Sequence, residues 1–170
     1  MTVRPARPED AAAIAEIHVS GWRSAYAGLL PSRDLASMST VRHAARMSVA
    51  IAAGHGVLVA EQGRDVVGYC TAGQARTSGL GDGEVETLYV LDDHREQGHG
   101  RALLQRAAAD LSGAGCGSLF LWVLAANPSR YFYERLGGRL VRRGTTRVAG
   151  QAFEQLAYLW NPISPLATAP

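Results

Sequence analysis

Lysine is missing from this chain: all 17 of its basic side chains are arginine. That excludes a phosphate-binding P-loop, whose Gly-Lys-Ser/Thr core sets a lysine ammonium on the phosphates. Cysteine is almost missing too. Cys70 and Cys116 stand apart in apolar surroundings without metal-like spacing, and both read as reduced core residues of a cytoplasmic protein. The five histidines are scattered without ligand spacing, so no metal is expected. Apolar runs long enough to cross a bilayer are lacking, and no charged-then-apolar leader opens the chain, so no membrane partner is expected. Charge is modest: 19% of residues are charged and the net charge is +2, too little to make nucleic acid the main partner. What is present is a 170-residue chain that is 47% hydrophobic, the composition of a folded globular protein. At roughly 150 residues per domain it reads as one domain over residues 1–161. Residues 162–170, with three prolines among small side chains, read as a flexible tail.

The hydrophobic period sets the order of elements. Thr2 to Arg4 suits a short first strand stopped by Pro5 and Pro8. Glu9 and Asp10 favour a helix start, and Ile14, Ile17, His18, Gly21, Trp22 and Tyr26 follow at helical spacing until Pro31. A second helix is expected from about Ser32 to Ala53, ended by Gly54. Val57–Glu61 and Val66–Ala72 are β-branched runs joined as a hairpin through Gln62-Gly63-Arg64-Asp65, and Glu84–Leu91 is a third strand. Apolar residues at 103, 104, 107, 108 and 111 mark a helix over Arg101–Leu111. Leu119–Leu124 is a strand buried on both faces. A short helix over Ser129–Leu136 and a hairpin of Leu140–Val148 with Gln151–Leu159, turned at Ala149-Gly150, complete a mixed sheet with helices on both faces.

The most informative segment runs from Leu88-Tyr89-Val90 through Asp92-Asp93-His94-Arg95-Glu96-Gln97-Gly98-His99-Gly100-Arg101 to Leu103-Leu104. A strand ends, a polar turn follows, and two glycines open an amphipathic helix. Gly98 and Gly100 lack a Cβ, so backbone can approach a ligand closely. The first amides of the helix face outward with the positive dipole end behind them, which suits a phosphate or pyrophosphate. Arg95 and Arg101 can add charge. A dinucleotide fingerprint is excluded, because Leu103 stands where a third small residue is needed.

Arg95-x-x-Gly98-x-Gly100 after Leu88-Tyr89-Val90 resembles the coenzyme A signature of the GNAT acetyltransferase superfamily. Asn127-Pro128-Ser129-Arg130-Tyr131-Phe132-Tyr133-Glu134-Arg135-Leu136-Gly137-Gly138 is similar to that family's next motif. Two departures stand out. Asn127 lies one residue closer to Phe132 than is common in the family, and Gly138 replaces a usual aromatic. The resemblance implies an α/β (α+β) GNAT-like fold, with a central mixed, largely antiparallel sheet of about seven strands flanked by four helices. It also implies acetyl-CoA as co-substrate. The pyrophosphate would sit on backbone amides of Arg95, Glu96, Gln97, Gly98, His99, Gly100 and Arg101, with Arg130 a further candidate for a phosphate contact. The pantetheine arm would pair along Leu88, Tyr89 and Val90, with a backbone N–H near Val90 or Leu91 polarising the thioester carbonyl. Asn127 would hydrogen-bond the same arm or a nearby water.

Tyr133 matches the family tyrosine near the coenzyme sulfur, where a phenol protonated at neutral pH can donate to the leaving thiolate. Packed beside Phe132, it also suits a core aromatic. Glu84 and Glu86 project from one face of their strand, and either could take the acceptor's proton through water, bind a cation or face solvent. The first two helices wall the acceptor pocket in relatives. His18, Trp22 and Tyr26 share a face, fit for a small amine or for packing on the sheet. The opening from Trp22 to Pro31 resembles that of bacterial GNAT proteins with varied acceptors. His94 and His99 read as exposed beside the turn. The implied activity is N-acetyl transfer to the primary amine of a small molecule by direct transfer in a ternary complex. A peptide or protein N-terminus or a lysine as acceptor, and a coenzyme-binding regulatory module without turnover, are the alternatives. Homodimers are common in the family, but no interface is legible here.

Overall fold

In the computed structural model, which describes residues 1–76 and 78–168, the strands are β1 Thr2–Pro5, β2 Val57–Gln62, β3 Asp65–Gln74, β4 Gly83–Val90, β5 Leu119–Leu124, β6 Arg139–Val148 and β7 Gln151–Trp160. The helices are α1 Ala11–Ala25, α2 Ser32–Ala36, α3 Thr40–Ala52, α4 His99–Gly113, α5 Arg130–Arg135 and α6 Ser164–Ala167. The strands form one mixed sheet in the order β1-β2-β3-β4-β5-β7-β6. Pairs β1–β2, β2–β3, β5–β7 and β6–β7 are antiparallel, and β4–β5 is parallel. The β4–β5 ladder covers only Gly83↔Leu119, Glu84↔Phe120 and Val85↔Leu121. No helix among the described residues is long and apolar enough to cross a membrane.

Within the chain, contacts group into two compact units. The first comprises Met1–Thr71 and Thr87–Leu104. Its core packs Ile14 and Ile17 of α1 on Val57, Val59 and Tyr69 of the β2–β3 hairpin. Arg4 ties three of its segments together. The guanidinium donates to both carboxylate oxygens of buried Asp10 at 2.7 and 3.0 Å and to Glu61 at 2.6 and 2.9 Å. Asp10 also accepts the Arg7 N–H, and its carboxyl is held below the usual range, chiefly by Arg4.

The helix expected over residues 32–53 is two. Ser39 adopts extended backbone, and its Oγ accepts the Arg42 N–H at 3.2 Å, starting α3 afresh. Ser37 Oγ donates to the Asp34 carbonyl at 2.7 Å, completing the stop of α2. Serines that bond local backbone compete with a continuing helix.

The second unit comprises Ala72–Glu86 and Gln105–Pro170. Leu119, Phe120 and Leu121 of β5 and Leu156 and Tyr158 of β7 are fully buried. Asp82 locks the start of β4 to that of β5 by accepting the N–H groups of Gly117 and Ser118 and the Ser118 hydroxyl. α4 ends in a Schellman-type turn, with Gly115 at φ 93° and the Cys116 N–H on the Leu111 carbonyl. The β6–β7 turn places Ala149 at φ 48° and Gly150 at φ 80°, the left-handed pair a two-residue hairpin requires.

The expected flexible tail is instead folded from Pro162 to Thr168; residues 169–170 lie outside the described residues. Ile163 and Leu166 are buried, and the Ile163 N–H donates to the Gly117 carbonyl at 2.9 Å. Two apolar anchors outweigh the prolines, of which Pro165 sits in the first turn of α6, where no N–H is needed. This turn and the split second helix give six helices among the described residues, where four were expected.

Candidate active site

The glycine-rich turn lies in the first unit. After β4 the chain makes a short 3-10 turn over Asp92–His94, then takes left-handed backbone at Glu96 (φ 60°) and Gly98 (φ 88°) before α4 begins. The Ala102 N–H closes on the Gly98 carbonyl at 3.0 Å. The amides of His99, Gly100 and Arg101 precede that first helical bond, as a phosphate seat requires. Arg95 pairs with Asp92 at 2.7 Å, and Arg101 is exposed on the first helical turn.

His99 departs from expectation. Read as exposed, it is buried, while His94 is half-buried. Position 99 faces inward from the first turn of α4, so its ring packs inside and lies within hydrogen-bond distance of Gln62 at 3.1 Å. Burial, helped by the charges of His94 and the N-terminus, pushes the His99 imidazole below its usual pKa.

Within β4 the backbone alternates. The Leu91 N–H donates to the Val67 carbonyl of β3 at 2.9 Å, and the Tyr89 carbonyl lies against Gly68 of β3. Leu88 and Val90, one residue out of step, therefore turn their N–H and C=O groups away from β3. Of Val90 and Leu91, the latter already has a partner, so Val90 is the better placed to polarise a carbonyl. The Tyr89 ring sits where a Cβ at Gly21 would overlap it, which explains a glycine in the middle of α1.

His18, Trp22 and Tyr26 do share a face of α1. Trp22 and Tyr26 stack at 4.4 Å, and the His18 and Trp22 rings are 6.1 Å apart. His18 also stacks on His43 of α3 at 3.8 Å, meets Tyr89 edge-on, and shares a 2.5 Å hydrogen bond with the Tyr69 hydroxyl. Burial, then the charges of His43 and Arg46, push the His18 pKa down to about 4. His43 is lowered by burial and then by the charge of Arg46, and burial raises the Tyr69 and Tyr26 phenols. The wall is thus neutral imidazole and phenol. Sequence reading missed His43 and Tyr69, because neither stands out within an ordinary helix or strand period.

In the second unit Glu84 and Glu86 share a face of β4, and both reach Arg76. The Arg76 guanidinium contacts Glu84 through Nε at 3.3 Å and Nη2 at 3.0 Å, and Glu86 through Nη1 at 3.3 Å. The Arg76 N–H adds a longer bond to Glu84. Glu84 is buried, whereas the Glu86 side chain is 36% exposed. Arg76 carried no signal in the sequence; it stands in an irregular segment after β3, and only the fold brings it onto the two carboxylates. Its own pKa is raised, first by the Glu84 bonds.

Asn127 Oδ1 accepts the Ser129 N–H at 2.8 Å at the entrance to α5, leaving its amide NH₂ as the group for an outside partner. Arg130, a candidate phosphate contact, lies over the Tyr131 ring at 4.2 Å and within 4.0 Å of Glu134. Tyr133 is buried among Phe132, Tyr158 and Trp160. Tyr158 donates to Glu134, and the Trp160 indole donates to the Leu136 carbonyl at 2.8 Å. Gly138 is explained here: a Cβ would come within 2.7 Å of the Trp160 ring, so that indole fills the room an aromatic at 138 would need. Burial raises the Cys70 thiol to about 12, and Cys116 is raised too, so neither is a ready thiolate nucleophile. Among the described residues no cluster of three or more His, Cys, Asp or Glu could hold a metal.

Residues 13–138 match the acetyltransferase (GNAT) family. The chain is 33% identical over 169 residues to the uncharacterized N-acetyltransferase YuaI of Bacillus subtilis (strain 168), covering 99% of this chain and 97% of that one. The fold superposes on yncA of Salmonella typhimurium, solved with its cofactor acetyl-CoA, at a TM-score of 0.71 and 24% identity, covering 94% and 92% of the two chains. It also superposes on paia N-acetyltransferase of Thermoplasma acidophilum in complex with coenzyme A, at a TM-score of 0.67 and 17% identity, covering 91% and 96%. From the glycine-opened helix after β4 to the Asn–Phe-Tyr-Glu block around α5, this chain belongs to the GNAT acetyltransferase family.

Proposed function

We propose that the protein is an acetyl-CoA-dependent N-acetyltransferase acting on the primary amine of a small molecule, by direct transfer while both substrates are bound. The observation that carries this reading is the turn before α4, where left-handed Glu96 and Gly98 lead into the amides of His99, Gly100 and Arg101. Those amides fit a pyrophosphate, and the solved neighbours named above hold acetyl-CoA or coenzyme A. Acetyl-CoA supplies the acyl group as an activated thioester. Gly98 to Arg101 bind its phosphates through backbone, with Arg95 and Arg101 adding charge. Leu88 and Val90 pair with the pantetheine arm through the groups that face away from β3, and the Val90 N–H polarises the carbonyl. The Asn127 amide NH₂ holds the same arm. Tyr133 keeps its phenolic proton for the departing sulfur. Glu86, the more open carboxylate, takes the proton of the acceptor ammonium through water, while Glu84 anchors Arg76. His18, Trp22 and Tyr26 line the acceptor side with neutral rings.

Calorimetric titration with acetyl-CoA, followed by thiol release across a panel of small amines and peptides, tests the reading. Coenzyme binding with thiol release on small amines is expected. No binding at millimolar acetyl-CoA overturns it. Release on peptides alone moves the acceptor to a polypeptide, and binding without release makes the chain a coenzyme-binding module.

A further inference from the structure

One side chain outside the family motifs reaches the phosphate-binding turn from another element. Gln62 ends β2, and its Oε1 lies 2.9 Å from His94 Nδ1 and 3.1 Å from His99 Nε2. The two rings meet edge-on at 6.1 Å. A carbonyl oxygen has two lone pairs and only accepts, so both rings donate to it. That places a proton on Nδ1 of His94 and on Nε2 of His99. The other nitrogen of His99, Nδ1, is buried without a partner, as suits a bare lone pair that needs no acceptor. A neutral ring also fits the start of α4, where the helix dipole opposes a cation.

The position of the two histidines matters more than either ring. His94 closes the 3-10 turn after β4, and His99 is the first residue of α4. Between them lie only Arg95 to Gly98, the segment with left-handed Glu96 and Gly98. Left-handed backbone at a non-glycine residue such as Glu96 is strained and persists only where the surroundings hold it. The Arg95–Asp92 pair and the Gln97 bond to the Asp93 carbonyl stay within the turn. Gln62 alone among these grips it from β2, at both ends at once. We propose that Gln62 is a positioning residue for coenzyme binding, a clamp that holds both ends of the phosphate turn through His94 and His99. The proposal rests on the coenzyme reading of that turn. Fixing the amides before the ligand arrives removes an ordering cost from binding, so the clamp acts on affinity and not on the acyl-transfer step.

The test begins without coenzyme. Nitrogen-15 imidazole spectra of the full chain at neutral pH should show a proton on Nδ1 of His94 and the Nε2–H tautomer at His99. Gln62→Leu, of similar volume, should weaken acetyl-CoA binding by about tenfold, the effect of one shared acceptor to two donors. It should raise KM for acetyl-CoA to match while leaving kcat within about twofold. Gln62→Glu keeps an acceptor oxygen in place and should restore binding. In a His99→Leu background the Gln62→Leu effect should shrink, because half of the clamp is already gone. Unchanged affinity in Gln62→Leu, failure of Gln62→Glu to restore it, or the opposite tautomer at His99 overturns the clamp while leaving the coenzyme reading intact. Absence of acetyl-CoA binding by the unaltered chain overturns both.

Discussion

At the scale of single residues, Arg76 separates two carboxylates that the sequence presents as equivalent. Glu84 and Glu86 alternate onto one face of β4, which strand geometry dictates and the sequence makes plain. What the sequence conceals is that one guanidinium reaches both, gripping buried Glu84 through two nitrogens and more open Glu86 through one. Ion pairs set by tertiary placement leave no periodic trace, so Arg76 was illegible while its partners were not. The asymmetry underlies the different roles proposed for the two. Glu84→Gln should destabilise the fold by about 1 kcal/mol and lower the melting temperature accordingly, since Arg76 is well exposed and turns to water. Glu86→Gln should leave the melting temperature alone and lower kcat/KM by about 10²-fold, the usual worth of a positioned base. Calorimetry and steady-state kinetics on both variants check this. Equal losses of rate in the two would remove the assignment of Glu86. Gly138 teaches the converse lesson: an apparent gap in the family motif is filled by Trp160, a residue far along the chain that no local reading would connect to it.

Among elements, hydrophobic period was enough to find every strand and the long helices, because burial of one face is what the period records. It failed at residues 37–39 and after Pro162, where a few local hydrogen bonds and two buried apolar side chains decide the outcome. It also failed to show that α1 and α3 face each other through histidines. His18 and His43 stack at 3.8 Å, against Tyr69 of β3, Tyr89 of β4 and the charge of Arg46. The folded-state pKa of His18, about 4, lies below its ordinary value of 6.5. Folding therefore sheds a proton there: the stability is fully present above about pH 6.5 and is lost as pH falls toward 4, where the unfolded chain binds the proton the folded chain refuses. The loss amounts to on the order of 3 kcal/mol, and His43, also lowered, adds in the same direction. Urea unfolding at pH 7 and pH 4.5 measures it. His18→Gln should lose less stability over that interval than the unaltered chain, since carboxylate protonation is common to both. Identical losses would mean that the imidazole stack does not set the acid response.

For the whole molecule, coenzyme binding should be readable as heat resistance, because a ligand that binds only the folded state stabilises it by mass action. At acetyl-CoA a hundredfold above Kd the gain is about 2.7 kcal/mol. Spread over the unfolding entropy of a chain of 170 residues, that raises the melting temperature by about 5–10 °C. The missing lysines make this measurement cleaner. The chain offers no side-chain ammonium for the thioester to acylate during the scan, so the shift reports binding and not modification. The turn that should produce the shift was visible in the sequence as two glycines opening a helix, but its left-handed backbone at Glu96 was not, since such backbone at a non-glycine residue is set by the folded surroundings and not by residue type. Gly98→Val puts a β-branched side chain at φ 88°, a conformation it strongly resists. The variant should melt somewhat lower on its own and lose most of the coenzyme-induced rise. Tyr133→Phe, which leaves the turn untouched, should keep the full rise while its turnover falls by about 10²-fold. Differential scanning fluorimetry with and without acetyl-CoA separates these outcomes. A rise in Gly98→Val as large as in the unaltered chain would place the phosphates somewhere other than the start of α4.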